Sequence, residues 1–318
     1  GLVLNKRILG ECGLLPENED GTYSIYNKDG SPAYPTTFDE VRHFSEVIVD
    51  STDNTRGILI PSANKNGGWQ FSNIAWNFGA QLEVQKWVGT LNDPKAVEAM
   101  NWIKEMKSDG LLIDTITVSY NDWYGKIKSQ VGMAIVGSDV VQLAITNAKL
   151  AKEDLAFVPM PAGPYGDRYS LYGGTPYVFS SDASDEQVKG AMMFLEYMGR
   201  SPDATEANLA AVTEGNEVAS KKGEPIIPSV KPWTDATYLA ATKEIEDKYV
   251  NVDMTNFNDF FNTLPTMKHN EVSYYAQEMY KLLDNVIQKV LQNPDTVNVE
   301  NELTTANNTF NSQYMSQL

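Results

Sequence analysis

Short apolar runs and helical periodicities alternate along this chain, and the most informative stretch covers residues 131–180. Within it, the apolar runs 131–136 and 155–158 have the length and composition of buried strands. The prolines and glycines of 159–166 then interrupt regular structure, and a third apolar run follows at 177–179. The pattern predicts two buried strands and then a crossing into another part of the fold.

A helix is predicted between these two strands, ending near Asn147. Ser138 or Asp139 can cap it, because a short side-chain oxygen accepts hydrogen bonds from the free amides of a first helical turn. A further capping signal comes from Thr37 and Glu40, which match a box in which each side chain bonds the other residue's backbone amide.

Helices with one apolar stripe account for most of the remaining chain. Helices and strands alternate up to residue 180, and helices dominate after it, which predicts an α/β fold with a helical C-terminal third. A buried strand is predicted at 56–61. The predicted helices cover residues 5–12, 37–49, 69–80, 93–108, 119–128, 138–147, 184–198, 202–212, 233–249, 270–292 and 299–315.

Length and charge narrow the classes of function. With 318 residues the chain exceeds the usual size of one domain, so two lobes are expected. A net charge of −17 argues against nucleic acid as a partner, because phosphates require a basic surface, and it disfavours an anionic membrane surface. The single cysteine, Cys12, excludes an internal disulfide but fits both the cytosol and many secreted proteins.

Motifs for catalysis, phosphate binding and metal binding are missing from the sequence. It contains no P-loop, dinucleotide-binding GxGxxG, HExxH or nucleophile elbow. Two histidines, His43 and His269, leave few ligands for a transition metal. No catalytic residue, metal or cofactor is therefore predicted, although a glycosidase carboxylate pair stays open because that pairing is spatial.

The aromatic residues point to carbohydrate. Sugars have an apolar C–H face and a polar rim, so their sites combine aromatic platforms with polar side chains and exposed amides. Three tryptophans, Trp69, Trp123 and Trp233, stand beside glycine, asparagine or proline in loop-like surroundings, where binding site and core are both plausible. The carboxylate of Asp122 or Asp139 could accept hydrogen bonds from sugar hydroxyls. The tryptophans on helix stripes favour the core, namely Trp76, Trp87 and Trp102.

Five segments in a fixed order carry a resemblance to a known family. They are LNKRIL at 4–9, PTTFDE at 35–40, QVGMAIVG at 130–137, FVPMPAGP at 157–164 followed by Gly173-Gly174, and the helix 184–198. In order and spacing they resemble the extracellular solute-binding proteins (family 1) of carbohydrate ABC importers, which include maltose-binding protein.

The resemblance implies a two-lobed α/β fold of the type II periplasmic-binding-protein class that closes on a sugar. Residues 1–160 would form the α/β core of the C-terminal lobe. Residues 161–260 would contain the hinge crossing and part of an incomplete N-terminal lobe, and residues 261–318 would return to the C-terminal lobe. Because buried parallel strands need cover on both faces, residues 165–260 are expected to be poorly packed, rearranged or paired with another copy.

The resemblance also suggests ligand contacts. Members of the family often place an aromatic residue at the turn 137–139, and this sequence has none there. The expected ligand-binding residues, including Trp123 and Trp233 on aromatic character, are Trp69, Gln70, Trp76, Trp123, Gly137, Ser138, Asp139, Gly173, Gly174, Tyr177, Trp233, Tyr274 and Tyr275.

The expected function is capture of a mono- or oligosaccharide for delivery to ABC permease subunits, with a hinge at 159–166 and no chemistry. The implied location is extracellular, as a lipid-anchored lipoprotein of a Gram-positive bacterium or in a periplasm. Two alternatives remain: a secreted glycan-active enzyme or glycan-adhesion module, and an intracellular structural or interaction domain.

Overall fold

The strands of the protein form three sheets, seen in a computed structural model that describes residues 1–84, 88–174 and 176–318. Trp87 lies outside the described residues. The described strands are β1 Leu2–Asn5, β2 Arg56–Leu59, β3 Glu83–Val84, β4 Val88–Gly89, β5 Val131–Ile135, β6 Leu155–Val158, β7 Ser170–Tyr172 and β8 Lys268–Asn270.

The main sheet has the strand order β2-β5-β1-β6. β1 runs antiparallel to both neighbours, so that Val3 pairs with Ala134 on one side and with Phe157 on the other. β5 and β6 are buried throughout, which confirms the two strands predicted from their apolar runs. β1 was not predicted, because its four residues directly precede a helix and are too short to give a periodic signal.

Twelve α-helices are present among the described residues. The Thr37–Glu40 capping box forms as predicted, and Ser184 forms a second one with Gln187. The helices are α1 Lys6–Glu11, α2 Phe38–Ser51, α3 Asn66–Asn77, α4 Pro94–Ser108, α5 Trp123–Ile127, α6 Leu143–Thr146, α7 Asp185–Tyr197, α8 Glu206–Lys221, α9 Ala236–Tyr249, α10 Asn258–Met267, α11 Ala276–Gln292 and α12 Val299–Gln313. No helix in this part of the chain has the length and apolar character needed to cross a bilayer.

The helix predicted over 138–147 is wrong in extent, since only the four residues of α6 are helical. Neither predicted cap is used, because α6 begins without a side-chain hydrogen bond at its N-cap. The Asp139 carboxylate instead accepts a hydrogen bond from Tyr120.

The chain divides into two units. Unit 1 comprises residues 1–173 and 255–318, and unit 2 comprises residues 174–254. The division into lobes near residues 160 and 260 stays a prediction. The core of unit 1 lies between the main sheet and helices α2, α3, α4, α11 and α12, and it includes Trp76 and Trp102, as expected from their helix stripes.

Unit 2 contains α7, α8 and α9. No residue of α7 is buried, and large apolar side chains on it are exposed. The expectation of incomplete packing in this part of the chain is therefore confirmed for α7. The run 177–179 is also exposed and forms no strand with the described residues.

Candidate functional site

The start of α3 positions the first site residue, Trp69. Lys65, the residue before α3, has a left-handed backbone with φ of 68°, and its side chain makes no capping hydrogen bond. The cap comes from α11, where the buried Asp284 carboxylate accepts hydrogen bonds from the Lys65 amide at 2.5 Å and the Gly68 amide at 2.7 Å. Carboxylates favour helix N-termini, where the free amides and the helix dipole meet. Asp284 thus anchors the turn that presents Trp69.

Two glycines allow the same helix end to approach α11. A Cβ atom on Gly68 would lie 2.3 Å from the backbone oxygen of Tyr280, and one on Gly67 would lie 2.7 Å from Asp284 Oδ1. These distances are far below van der Waals contact, so neither position accepts a side chain without movement of the helix. Close backbone packing therefore fixes the position of α3 along α11.

Asp284 gives a testable stability effect. Burial raises the pKa of its carboxyl, and the hydrogen bonds from Gly68 and Lys65 oppose that rise. We expect Asp284→Ala to lower the free energy of unfolding by about 2 kcal/mol, because the buried Gly68 amide and the partly buried Lys65 amide lose their acceptor. Chemical denaturation followed by circular dichroism measures this change.

The pH dependence follows from the same raised pKa. An unfolded aspartate titrates near pH 3.9. The folded state holds the proton to a higher pH, so the stability contributed by protonated Asp284 is full below about pH 4 and is lost as pH rises through the folded pKa. Asp284→Asn keeps an oxygen acceptor and should remove this slope. An unchanged slope in Asp284→Asn would contradict the assigned titration.

Tyr120 joins the residues of the site. Its ring meets Trp69 edge to face, with 5.8 Å between centroids. Its hydroxyl donates to Asp139 Oδ1 at 3.1 Å and accepts from the Gly137 amide at 2.9 Å. A Cβ atom on Gly137 would lie 2.4 Å from both of those side-chain oxygens, so only glycine fits there. Tyr120, Trp69, Gly137 and Asp139, here called the Trp69 cluster, therefore form one connected group.

Electrostatics keep Tyr120 protonated. Burial raises the pKa of its hydroxyl well above the usual range, and the nearby Asp139 carboxylate adds to the rise. The phenol therefore remains a donor at physiological pH. Trp69 is half-buried and Asp139 is exposed, so the cluster offers part of an aromatic ring and a carboxylate at the surface of unit 1, while the Tyr120 hydroxyl is engaged by Asp139 and Gly137.

Two further predicted residues, Tyr274 and Tyr275, lie directly before the first residue of α11. Tyr275 is the N-cap residue with φ of 51°, a left-handed conformation that is uncommon for a bulky side chain. Its ring lies 5.7 Å from that of Tyr314, and both Tyr274 and Tyr275 are exposed. Such local strain often accompanies functional positions.

Several predicted residues occupy other surroundings. Trp123 is fully buried and Gln70 nearly so, which places both side chains in the core rather than on a ligand-facing surface. Trp76 is buried and stacks on His269 at 3.9 Å between centroids, so its face is already covered. Trp123 is buried because α5 packs against β5. The loop-like residues around it in the sequence do not indicate in which direction its side chain points.

The remaining predicted residues divide between the two units. Gly173 is exposed at the end of unit 1, after β7, and Ser138 lies beside the Trp69 cluster in sequence and is half-buried. Gly174, Tyr177 and Trp233 belong to unit 2, where Gly174 and Tyr177 are exposed and Trp233 is half-buried. Their role in ligand binding stays a prediction.

A separate cavity of about 1010 Å³ opens beside β8 in unit 1. Trp76, Glu83, His269 and Glu271 are among the residues that line it. Burial lowers the pKa of His269, so its ring is neutral at physiological pH. Within residues 1–84, 88–174 and 176–318, no group of three or more His, Cys, Asp or Glu side chains is arranged to hold a metal ion.

Comparison with known protein families identifies the class of protein. Residues 5–205, more than half of the chain, match the family described as bacterial extracellular solute-binding protein. The chain belongs to this family. The resemblance drawn from the sequence is thereby confirmed, and a binding-protein family confirms that this solute-binding protein is not an enzyme. A search of curated protein sequences finds no match.

Solved structures with the same fold include an ABC transporter solute-binding protein from Thermotoga lettingae. It has a TM-score of 0.68 and 18% identity, over 98% of this chain and 69% of the other. The cyclic α-maltosyl-1,6-maltose binding protein of Arthrobacter globiformis has a TM-score of 0.62 and 20% identity, over the same shares of both chains. UgpB of Mycobacterium tuberculosis has a TM-score of 0.64 and 14% identity, over 96% and 65%.

These similarities confirm the α/β periplasmic-binding-protein-like fold of this solute-binding protein. They also show that each of these relatives contains residues to which the chain has no counterpart.

Proposed function

We propose that this solute-binding protein captures a mono- or oligosaccharide outside the cell and delivers it to the transmembrane subunits of an ABC permease. The observation that carries the proposal is the Trp69 cluster. An aromatic ring beside a hydroxyl and a carboxylate is suited to the apolar face and the hydroxyl rim of a sugar. Tyr120 donates to Asp139 Oδ1, so Oδ2 of the same carboxylate can accept hydrogen bonds from sugar hydroxyls.

The solved relatives support a sugar as ligand. The Thermotoga lettingae protein is bound with α-D-tagatose, and the Arthrobacter globiformis protein is named for a cyclic maltooligosaccharide. UgpB is in complex with glycerophosphocholine, which makes that compound a useful non-saccharide comparison. An extracellular or periplasmic location and attachment by a lipid anchor belong to the same proposal.

Thermal denaturation with a panel of sugars tests the proposal. A ligand that binds only the folded state at 100 times its dissociation constant adds about 2.7 kcal/mol to the free energy of unfolding. We expect at least one of D-tagatose, maltose and laminaribiose to raise the melting temperature in a concentration-dependent way. The same sugar at the same concentration should raise the melting temperature of Trp69→Ala by a much smaller amount. A shift produced by glycerophosphocholine and by no sugar would contradict the proposed substrate class.

A further inference from the structure

Asp139 gives the Trp69 cluster a negative charge without a cationic partner. Its carboxylate is exposed and forms no salt bridge with a lysine or arginine in the part of the chain that the structure describes. The amino group of Gly1 interacts electrostatically with Asp139, but burial lowers the pKa of that amine to about 5, so it is neutral at physiological pH. A ligand group at this carboxylate therefore meets one uncompensated negative charge.

The hydrogen-bond donors that connect the cluster are already engaged. The Tyr120 hydroxyl donates to Asp139 Oδ1, and the Gly137 amide donates to Tyr120. The side-chain amide of Gln142 donates to the backbone oxygen of Asp139 at 2.9 Å. Asp139 Oδ2, in contrast, accepts no hydrogen bond from the described residues. The carboxylate of the cluster is thus available to a ligand that brings donors.

The N-terminus of α3, which would otherwise attract an anionic ligand, is occupied as well. Free amides at a helix start and the positive end of the helix dipole favour anions. Here the buried Asp284 carboxylate accepts hydrogen bonds from the amides of Lys65 and Gly68, the second of which directly precedes Trp69. An anionic ligand group at this helix end would therefore meet a carboxylate in place of free amides.

We propose that Asp139 makes the sugar site selective for charge, so that it favours saccharides with a protonated amine over their neutral analogues and disfavours uronic acids. The inference rests on the proposed function, because it concerns the same site. An ammonium group donates a charge-assisted hydrogen bond to Asp139 Oδ2, and aromatic rings such as that of Trp69 attract cations too. The carboxylate of a uronic acid has the same charge as Asp139 and brings it no donor.

Titration calorimetry with hexoses of different charge tests the inference. Glucose, galactose and mannose are each offered as the neutral sugar, with an amine at C2 or C6, and as the uronic acid. The titrations are done at about pH 6.5, where the amines are protonated and the carboxyl groups ionised. For at least one hexose, we expect an amino form to bind about fivefold more tightly than the neutral form, and the uronic acid about fivefold more weakly. Fivefold is about 1 kcal/mol, the energy of one charge pair at about 4 Å in water.

Two variants assign the preference to one carboxylate. Asp139→Asn removes the charge and keeps an oxygen that can accept from Tyr120, so it should bind the amino and neutral forms of the same hexose with nearly equal dissociation constants. Asp122→Asn is the matched control, because Asp122 is another exposed carboxylate and it accepts hydrogen bonds from Ser119. Asp122→Asn should keep the preference for the amine.

Several results would overturn the inference. They are no binding of any amino sugar, equal affinity for the amino and neutral forms, tighter binding of the uronic acid, and a preference that persists in Asp139→Asn. In each case, binding of any neutral sugar, including D-tagatose, maltose or laminaribiose, would leave the proposed function intact. If no neutral sugar binds either, the proposed function fails together with the inference.

Discussion

Gly68→Ala is expected to lower the melting temperature of the protein by roughly 10 °C, corresponding to about 3 kcal/mol for a unit of this size. The added Cβ would lie 2.3 Å from the Tyr280 backbone oxygen and 2.4 Å from its Cα atom. Both atoms belong to the backbone of α11, so no rotation of a side chain relieves the overlap. The helices must separate, which also draws the Gly68 amide away from Asp284.

The sign of this effect is opposite to the usual one. Alanine normally stabilises a helix by about 0.5–1 kcal/mol relative to glycine. Gly125→Ala in α5 is the matched control, since a Cβ there meets nothing within 4 Å, and it should be neutral or stabilising. Calorimetry of both variants measures the contrast. A Gly68→Ala protein as stable as Gly125→Ala would show that α3 and α11 are not in close backbone contact.

Trp69→Ala is expected to weaken sugar binding by roughly 30-fold, which is about 2 kcal/mol and typical of removing a tryptophan anchor from a binding site. Tyr120→Phe should weaken binding by a smaller factor, because it removes the hydroxyl that holds Asp139 and the Gly137 amide but keeps the ring beside Trp69. Isothermal titration calorimetry with the sugar found by thermal denaturation measures both effects.

The control for Trp69→Ala is a different exposed aromatic residue of unit 1. Tyr165 is 56% exposed, and its hydroxyl donates a hydrogen bond to Glu98 rather than to a residue of the Trp69 cluster. Tyr165→Ala should bind the sugar as the unmodified protein does. Equal losses of affinity in Trp69→Ala and Tyr165→Ala would indicate a general loss of folded protein rather than a lost contact.

Local signals in the sequence were sufficient for several elements of the fold. The apolar runs of β5 and β6 and the Thr37–Glu40 capping box depend on neighbouring residues, and all three form as predicted. The helix expected after Ser138 or Asp139 is limited to Leu143–Thr146, and the Asp139 carboxylate accepts a hydrogen bond from Tyr120 instead of capping a helix. Tertiary contacts of this kind have no local signature.

Tertiary contacts also decide which of the predicted residues lie in the candidate site, and the local sequence does not show them. Trp69 and Trp123 have similar sequence surroundings, but Trp69 is half-buried and meets Tyr120, whereas Trp123, the first residue of α5, is fully buried. Tyr120 was not predicted as a site residue. The sequence contains one signal for it, since Tyr120 directly precedes Asn121, Asp122 and the predicted site residue Trp123. A tyrosine beside small polar residues is typical of a sugar-binding site.

Hydrogen–deuterium exchange in the presence of saturating sugar shows whether a saccharide binds at the Trp69 cluster. The Gly137 amide donates to Tyr120, so its exchange reports on the centre of the cluster. We expect amide exchange at residues 64–70, 119–122 and 137–140 to slow when the sugar is added. Protection confined to the cavity lined by His269 and Glu271, or no protection with any saccharide that binds, would contradict it.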